Sequence, residues 1–145
     1  LIVDEAQTLK LGLLEFLRQL LNYETNEQKL LQLVLFTQNE LRTKLRRARN
    51  LNNRIALKAS LENLSLDDSR EMLEFRWTVA GGRDFPFTPD GLEAIYDYSA
   101  GVPRTQVILA DNCLLAAFLK KEKQIDQSLV VQVAQDQEIE LAPNK

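Results

Sequence analysis

Leu1-Ile2-Val3-Asp4-Glu5 opens the chain, and Ala6-Gln7 follows. Three apolar residues running straight into two carboxylates read as a buried parallel strand whose C-terminal tip presents charge. In open α/β sheets, ligands gather outside the carboxyl ends of the strands. Two adjacent carboxylates there suit a phosphate-bound Mg2+. One side chain can hold the ion, usually through water, and the next can orient an attacking water. Apolar runs ending in Asp-Glu are also common as plain strand ends with two solvated acids. The rest of the chain decides between these readings.

The next residues build the neighbourhood of that tip. From Leu9 to about Tyr23, Leu13, Leu14, Phe16, Leu17, Leu20 and Leu21 recur at helical spacing with Glu15, Arg18 and Gln19 between them. This pattern predicts an amphipathic helix packed on a sheet. Leu30 to Thr37 is a second apolar run and predicts a second strand. Strand, helix, strand implies a parallel pair with a right-handed crossover. Adjacent parallel strands set their tips side by side, so Thr37-Gln38 would stand beside Asp4-Glu5. The same two polar residues also suit the start of an ordinary loop. Asn39 is the expected N-cap of a short basic helix from Glu40 to about Arg49. The alternation of Ile55, Leu57, Ala59 and Leu61 with Ala56, Lys58, Ser60 and Glu62 predicts a third strand at a sheet edge.

The character changes at Asn63-Leu64-Ser65. Ser65 with Asp68 three residues on resembles a capping box, opening a helix that Gly81-Gly82 stops near Ala80. Thr88 caps the next helix, with Pro89 in its first turn. Pro103 begins a long helix reaching about Lys121, and Asp126 caps a last one through about Asp136. Phe75, Trp77 and Tyr96 read as core of this helical part, as does Cys113 beside Ile108, Leu114 and Leu115. The organisation expected is therefore an α/β part over 1–62, an all-helical part over 63–136, and a loosely ordered polar tail over 137–145.

Composition narrows the chemistry. The chain has 145 residues, a hydrophobic fraction of 45% and a formal net charge of −3, so a packed core is expected without an overall basic footprint for nucleic acid. Histidine is absent, which excludes a Ser-His-Asp triad or His-ligated zinc within these residues. The single cysteine, Cys113, allows no intrachain disulfide and points to a reducing compartment. No apolar run reaches the length of a membrane span, and a signal peptide is not expected from this reading. The chain starts without Met inside a strand-like run and reads as a piece of a longer protein.

Two arginines complete the candidate chemistry. Arg54 precedes the expected third strand, and a guanidinium offers planar donors suited to phosphate oxygens. It also suits a surface ion pair. Arg104 stands in Gly101-Val102-Pro103-Arg104 at a helix start, where helix end and guanidinium together favour an anion. A plain helical corner with a solvated arginine gives the same sequence. The arginines between Arg42 and Arg54 have no aromatics interleaved, so base stacking has no support there.

Taken in order, LIVDEAQ, LGLLEFLRQLLNYET, KLLQLVLFTQNEL, LNNRIALKASLENLS and GVPR resemble the AAA+ ATPases. More narrowly they resemble the general secretion pathway protein A ATPases and related transposition ATPases, over Leu1 to about Asp136. The resemblance implies the C-terminal part of a P-loop parallel-sheet core, entered at its Walker B strand, followed by a helical lid. ATP and Mg2+ are the implied cofactors. Asp4 would assist Mg2+ binding, and Glu5 would polarise the hydrolytic water. Gln38, with Thr37, would take the sensor 1 role. Arg54 would reach the ATP of an adjacent subunit, and Arg104 would be the sensor 2 arginine of the lid.

Such an Arg54 works only across an interface, so self-association on the Arg54 side is implied. Thr37-Gln38-Asn39 departs from the Gly-Gln-Pro usual in secretion-type relatives. The phosphate-binding GxxxxGK[ST] loop is not among these residues; the resemblance puts it upstream. Residues 1–145 alone are therefore expected neither to bind ATP tightly nor to hydrolyse it. The resemblance further implies a cytoplasmic module of a larger protein anchored at the inner membrane, with a secretion or cell-envelope partner. A DNA-binding regulator of the transposition type is the alternative, supported locally by the Arg42–Arg49 helix. A scaffold that has lost its nucleotide site is disfavoured by Asp4-Glu5, Arg54 and Arg104.

Overall fold

The computed structural model describes residues 1–142. It divides into two compact units, Leu1–Ser60 and Leu61–Lys145. The expected tail at 137–145 thus lies partly outside the described residues.

In the first unit, β1 (Ile2–Val3) pairs in parallel with β2 (Val34–Leu35), in the register Ile2 to Val34 and Val3 to Leu35. A 3-10 turn (Ala6–Thr8) and α1 (Leu11–Leu20) form the crossover. The period of two sorts the strand residues. Val3 and Leu35 pack against a core of Ala6, Leu14, Leu41, Leu45 and Leu51. Ile2 and Val34 face the other way and stay 69% and 48% exposed. The expectation of a buried strand at Leu1–Val3 is corrected here, because the pair is covered on one face only. Both strands are shorter than their apolar runs, since a ladder extends no further than its partner.

α2 (Glu40–Arg47) buries Leu41 and Leu45, four residues apart, and α3 (Arg49–Asn52) buries Leu51. The two helices are separated at Ala48, so the single basic helix expected to reach Arg49 is broken. Asn39 makes no side-chain cap: it already has helical φ and ψ, whereas a capping residue is extended. The third strand expected at 55–61 does not form. Among the described residues no further strand pairs with it, and Leu57 and Leu61 stand 84% and 91% exposed. Alternation alone does not make a strand without a partner.

The second unit is all helical: α4 (Leu66–Val79), α5 (Pro89–Ser99), α6 (Pro103–Lys120) and α7 (Gln127–Asp136). Its caps follow from local chemistry. Ser65 and Asp68 make a reciprocal capping box, Thr88 accepts from the Gly91 amide, and Asp126 accepts from the Leu129 amide. Ile95, Leu109, Cys113, Ile125 and Val130 are buried at the centre. Burial pushes the Cys113 thiol up to about 12. Phe75 is not core as expected, being 69% exposed, because α4 buries Ser69 and Leu73 on its other face. After α7, Ile139 packs on the core and the Ala142 amide donates to the Asp97 carbonyl at 3.1 Å, so described residues of the tail are tied back.

The corner between α5 and α6 demands glycine. Gly101 has φ +75°, and a Cβ there would lie 2.1 Å from the Leu64 carbonyl oxygen. Leu64 N–H donates to the Gly101 carbonyl at 2.9 Å, and Asn63 Nδ2 donates to the Ala100 carbonyl at 2.8 Å. Gly101→Ala is expected to lower stability by roughly 2–3 kcal/mol, from backbone strain and displacement of this contact. Urea unfolding measures it; a loss below about 0.5 kcal/mol, the scale of an ordinary surface change, would show that the corner reorganises freely.

Candidate functional site at the strand tips

The tips of β1 and β2 are stitched together by backbone bonds that continue past the strands. Phe36 N–H donates to the Val3 carbonyl at 2.9 Å, and Ala6 N–H donates to the Phe36 carbonyl at 3.0 Å. This places Asp4-Glu5 beside Thr37-Gln38. Asp4 Oδ1 accepts from the Glu5 N–H at 2.8 Å. Glu5 itself is left-handed, with φ 53°. A non-glycine residue in that region costs energy and clusters at ligand-handling turns. The turn follows from the abrupt change from extended strand to the 3-10 turn at Ala6.

Gln7 is the residue that sequence reasoning missed. Its Nε2 donates to Glu5 Oε2 at 2.5 Å. Its Oε1 accepts from Thr37 Oγ1 and from the Gln38 N–H, each at 3.2 Å. One amide thus joins the Glu5 carboxylate to both residues of the second tip. An amide suits this place because it donates and accepts at once. Lys44 was also missed. Its ammonium donates to the carbonyls of Gln7 and Leu9, holding the turn onto α2. The sequence signal was slight: a glutamine two residues after Glu5, and one lysine in an arginine-rich helix.

The donor set can be weighed against a metal ion. Among the described residues no group of three or more His, Cys, Asp or Glu could hold one. Asp4 has one oxygen engaged by the Glu5 amide and the other without a hydrogen bond among the described residues. One free carboxylate oxygen suits Mg2+ that brings phosphates and waters of its own, not an ion caged by protein.

Arg54 is not joined to this network by any hydrogen bond or ion pair among the described residues. It is exposed, and its N–H donates to the Leu51 carbonyl at 2.9 Å. Its charge is felt at Glu24. The hydrogen bond from Lys29 holds that carboxyl below the usual range, the Lys29 charge adds to this, and Arg54 contributes a smaller pull. In the second unit, Arg104 lies exposed in the first turn of α6. The helix has Pro103 at its start and an N-cap, Val102, without a side-chain oxygen. Arg104 lines an open groove of about 600 Å3 with Met72, Arg76, Pro103, Val107 and Ile108.

Residues 1–45 match the family model described as AAA domain. General secretion pathway protein A of Aeromonas hydrophila is 43% identical over 126 residues. That similarity covers 86% of this chain, which spans 23% of the relative's length. Among solved structures, the Thermotoga maritima RuvB Holliday junction branch migration motor superposes with a TM-score of 0.68 at 16% identity, covering 93% of this chain and 43% of that one. A variant of the same motor gives 0.65 at 14% identity, covering 93% and 44%. At such identities the structural likeness speaks for fold alone. Family model, sequence relative and fold agree: the chain is AAA+ in kind, similar to general secretion pathway protein A and folded as the C-terminal part of a P-loop parallel-sheet core followed by a helical lid.

Proposed function

We propose that the chain supplies the Mg2+-facing, water-activating and nucleotide-sensing side of an ATPase within a larger protein of the general secretion pathway protein A type. The observation that carries this reading is the Glu5–Gln7–Thr37/Gln38 network at adjoining parallel strand tips. Asp4 offers a free carboxylate oxygen to Mg2+, which when bound would draw charge from phosphate oxygens. Glu5 is the general base that orients and deprotonates a water. Gln7 fixes the Glu5 carboxylate relative to Thr37 and Gln38, so base and sensor move as one. Thr37 Oγ1 and the Gln38 side chain read the terminal phosphate.

Arg54 serves a neighbouring subunit's site, and Arg104 brings the lid toward the phosphates, so hydrolysis is coupled to lid and subunit movement. We further propose 1–62 as core and 63–136 as lid, a secretion or cell-envelope partner, and a cytoplasmic module of an inner-membrane-anchored protein. No helix among the described residues is long and apolar enough to cross a membrane.

Two measurements test the reading. Gln7→Ala in the full-length protein should lower turnover by about 10- to 100-fold with ATP affinity little changed, since misplacing a catalytic group by an ångström costs on that scale. Unchanged turnover would take Gln7 out of the site. Titration of Mg-ATP into residues 1–145 should give no heat of tight binding. A dissociation constant in the low micromolar range, about −8 kcal/mol, would show that this chain holds a complete nucleotide site.

A further inference from the structure

Gln7 is gripped at both ends. Its side-chain amide reaches Glu5, Thr37 and Gln38, and its main-chain carbonyl accepts from the Lys44 ammonium. The same ammonium donates to the Leu9 carbonyl at 3.1 Å. Among the described residues neither carbonyl accepts another hydrogen bond. This follows from the shape of the turn. The Thr8 and Leu9 amides close onto Glu5 and Ala6, and the Leu13 and Leu14 amides both go to Lys10, so the carbonyls of Gln7 and Leu9 are passed over. A backbone carbonyl without a protein donor turns toward water, and the segment that carries it is free to follow.

α2 brings Lys44 to this task. Of the basic residues on that helix, Arg42, Arg46 and Arg47 are exposed and Lys44 alone is half-buried. Leu41 and Leu45, on the same helix, are buried in one core with Ala6, the first residue of the turn. The helix thus lies against the turn, and a compact ammonium with several donors suits two neighbouring carbonyls better than a planar guanidinium fork. α2 also begins directly after Thr37-Gln38-Asn39. The helix that follows one strand tip therefore fixes the turn that follows the other.

We infer that Lys44 is a positioning residue for the Glu5 base. It meets none of the reacting atoms. It holds the main chain of Gln7 so that the amide spans from Glu5 to Thr37 and Gln38, and its effect on turnover passes through that amide. The inference deepens the reading of Glu5 as general base and rests on it.

Steady-state kinetics of the full-length protein test it, with rates taken per folded molecule. Lys44→Met keeps an unbranched stem and removes every donor. It should lower kcat about tenfold while KM for ATP moves less than about twofold, the pattern of a misplaced base with binding intact. Lys44→Arg keeps charge and donors and should return kcat to within about threefold of wild type. The double variant decides the route. Lys44→Met combined with Gln7→Ala should turn over as Gln7→Ala alone does, because with the amide gone Lys44 has nothing left to position.

Wild-type kcat in folded Lys44→Met would overturn the inference and leave Lys44 a support of the fold. So would losses that multiply in the double variant, a defect confined to KM, or a Lys44→Arg no more active than Lys44→Met. If Lys44→Met does not fold, Lys44→Gln, whose shorter amide reaches at most one of the two carbonyls, is read by the same outcomes. Glu5→Gln measured beside them keeps the two claims apart. If it is inactive while Lys44→Met is normal, the base stands and the role of Lys44 falls. If Glu5→Gln turns over normally, the reading of Glu5 fails and takes this inference with it.

Discussion

Glu5→Gln in the full-length protein is expected to leave Mg-ATP binding within about threefold while lowering steady-state turnover by at least about 100-fold, the usual worth of a positioned general base. The amide replaces the carboxylate without a change of shape. Its oxygen can still accept from Gln7 Nε2, so the bridge to Thr37 and Gln38 is kept. What is lost is basicity alone. Gln7→Ala makes the complementary change, leaving the carboxylate and removing its tether. If Glu5 is the base, Glu5→Gln is the deeper defect and Gln7→Ala the shallower one. Turnover and filter-binding affinity measured together separate the cases. Retained turnover in Glu5→Gln would reduce Asp4-Glu5 to a solvated strand end.

The parts of the molecule legible from sequence are those whose causes lie within a few residues. The Ser65–Asp68 box, the Thr88 and Asp126 caps and the stop after Ala80 each depend on contacts three or four positions apart. The parallel pairing of Leu1–Val3 with the run before Thr37 was legible because apolar runs and a helix between them leave few topologies. Gln7 was not legible, because its meaning comes from Thr37 and Gln38, thirty and thirty-one residues away. Lys44 was hidden for the same reason.

Two signals misled. Ile55 to Leu61 alternates like a strand, but pairing is a property of two segments, and no partner stands beside it among the described residues. Phe75 is a large aromatic inside a helix, yet the face α4 buries is set by Ser69 and Leu73. Ser69 is buried because Gln106 Nε2 donates to its hydroxyl at 2.6 Å, a cross-helix bond that spacing cannot announce.

Arg54→Ala is expected to lower turnover by about a thousandfold or more, the effect of removing an arginine that meets transition-state charge across an interface. Alone, this loss would not distinguish a trans role from collapse of the fold. Arg54 also pulls on Glu24, so a structural account exists in which it serves only the Glu24–Lys29 pair. That pair lies at the surface, with side chains 63% and 48% exposed, and such contacts contribute little. Glu24→Gln should therefore leave turnover nearly unchanged, whereas a loss matching that of Arg54→Ala would assign Arg54 to local structure.

Mixing decides the remaining question. An Arg54→Ala subunit keeps its own Glu5, and a Glu5→Gln subunit keeps its own Arg54. Where the two sit in the right order, one composite site is intact. With random incorporation at equal amounts, half the subunits carry Glu5 and half of those meet a neighbour with Arg54, so the mixture should recover about a quarter of wild-type turnover. A mixture no more active than its components would mean that Arg54 acts within its own subunit. Normal turnover by Arg54→Ala alone would leave it a surface residue, and the shared site would lose its main support.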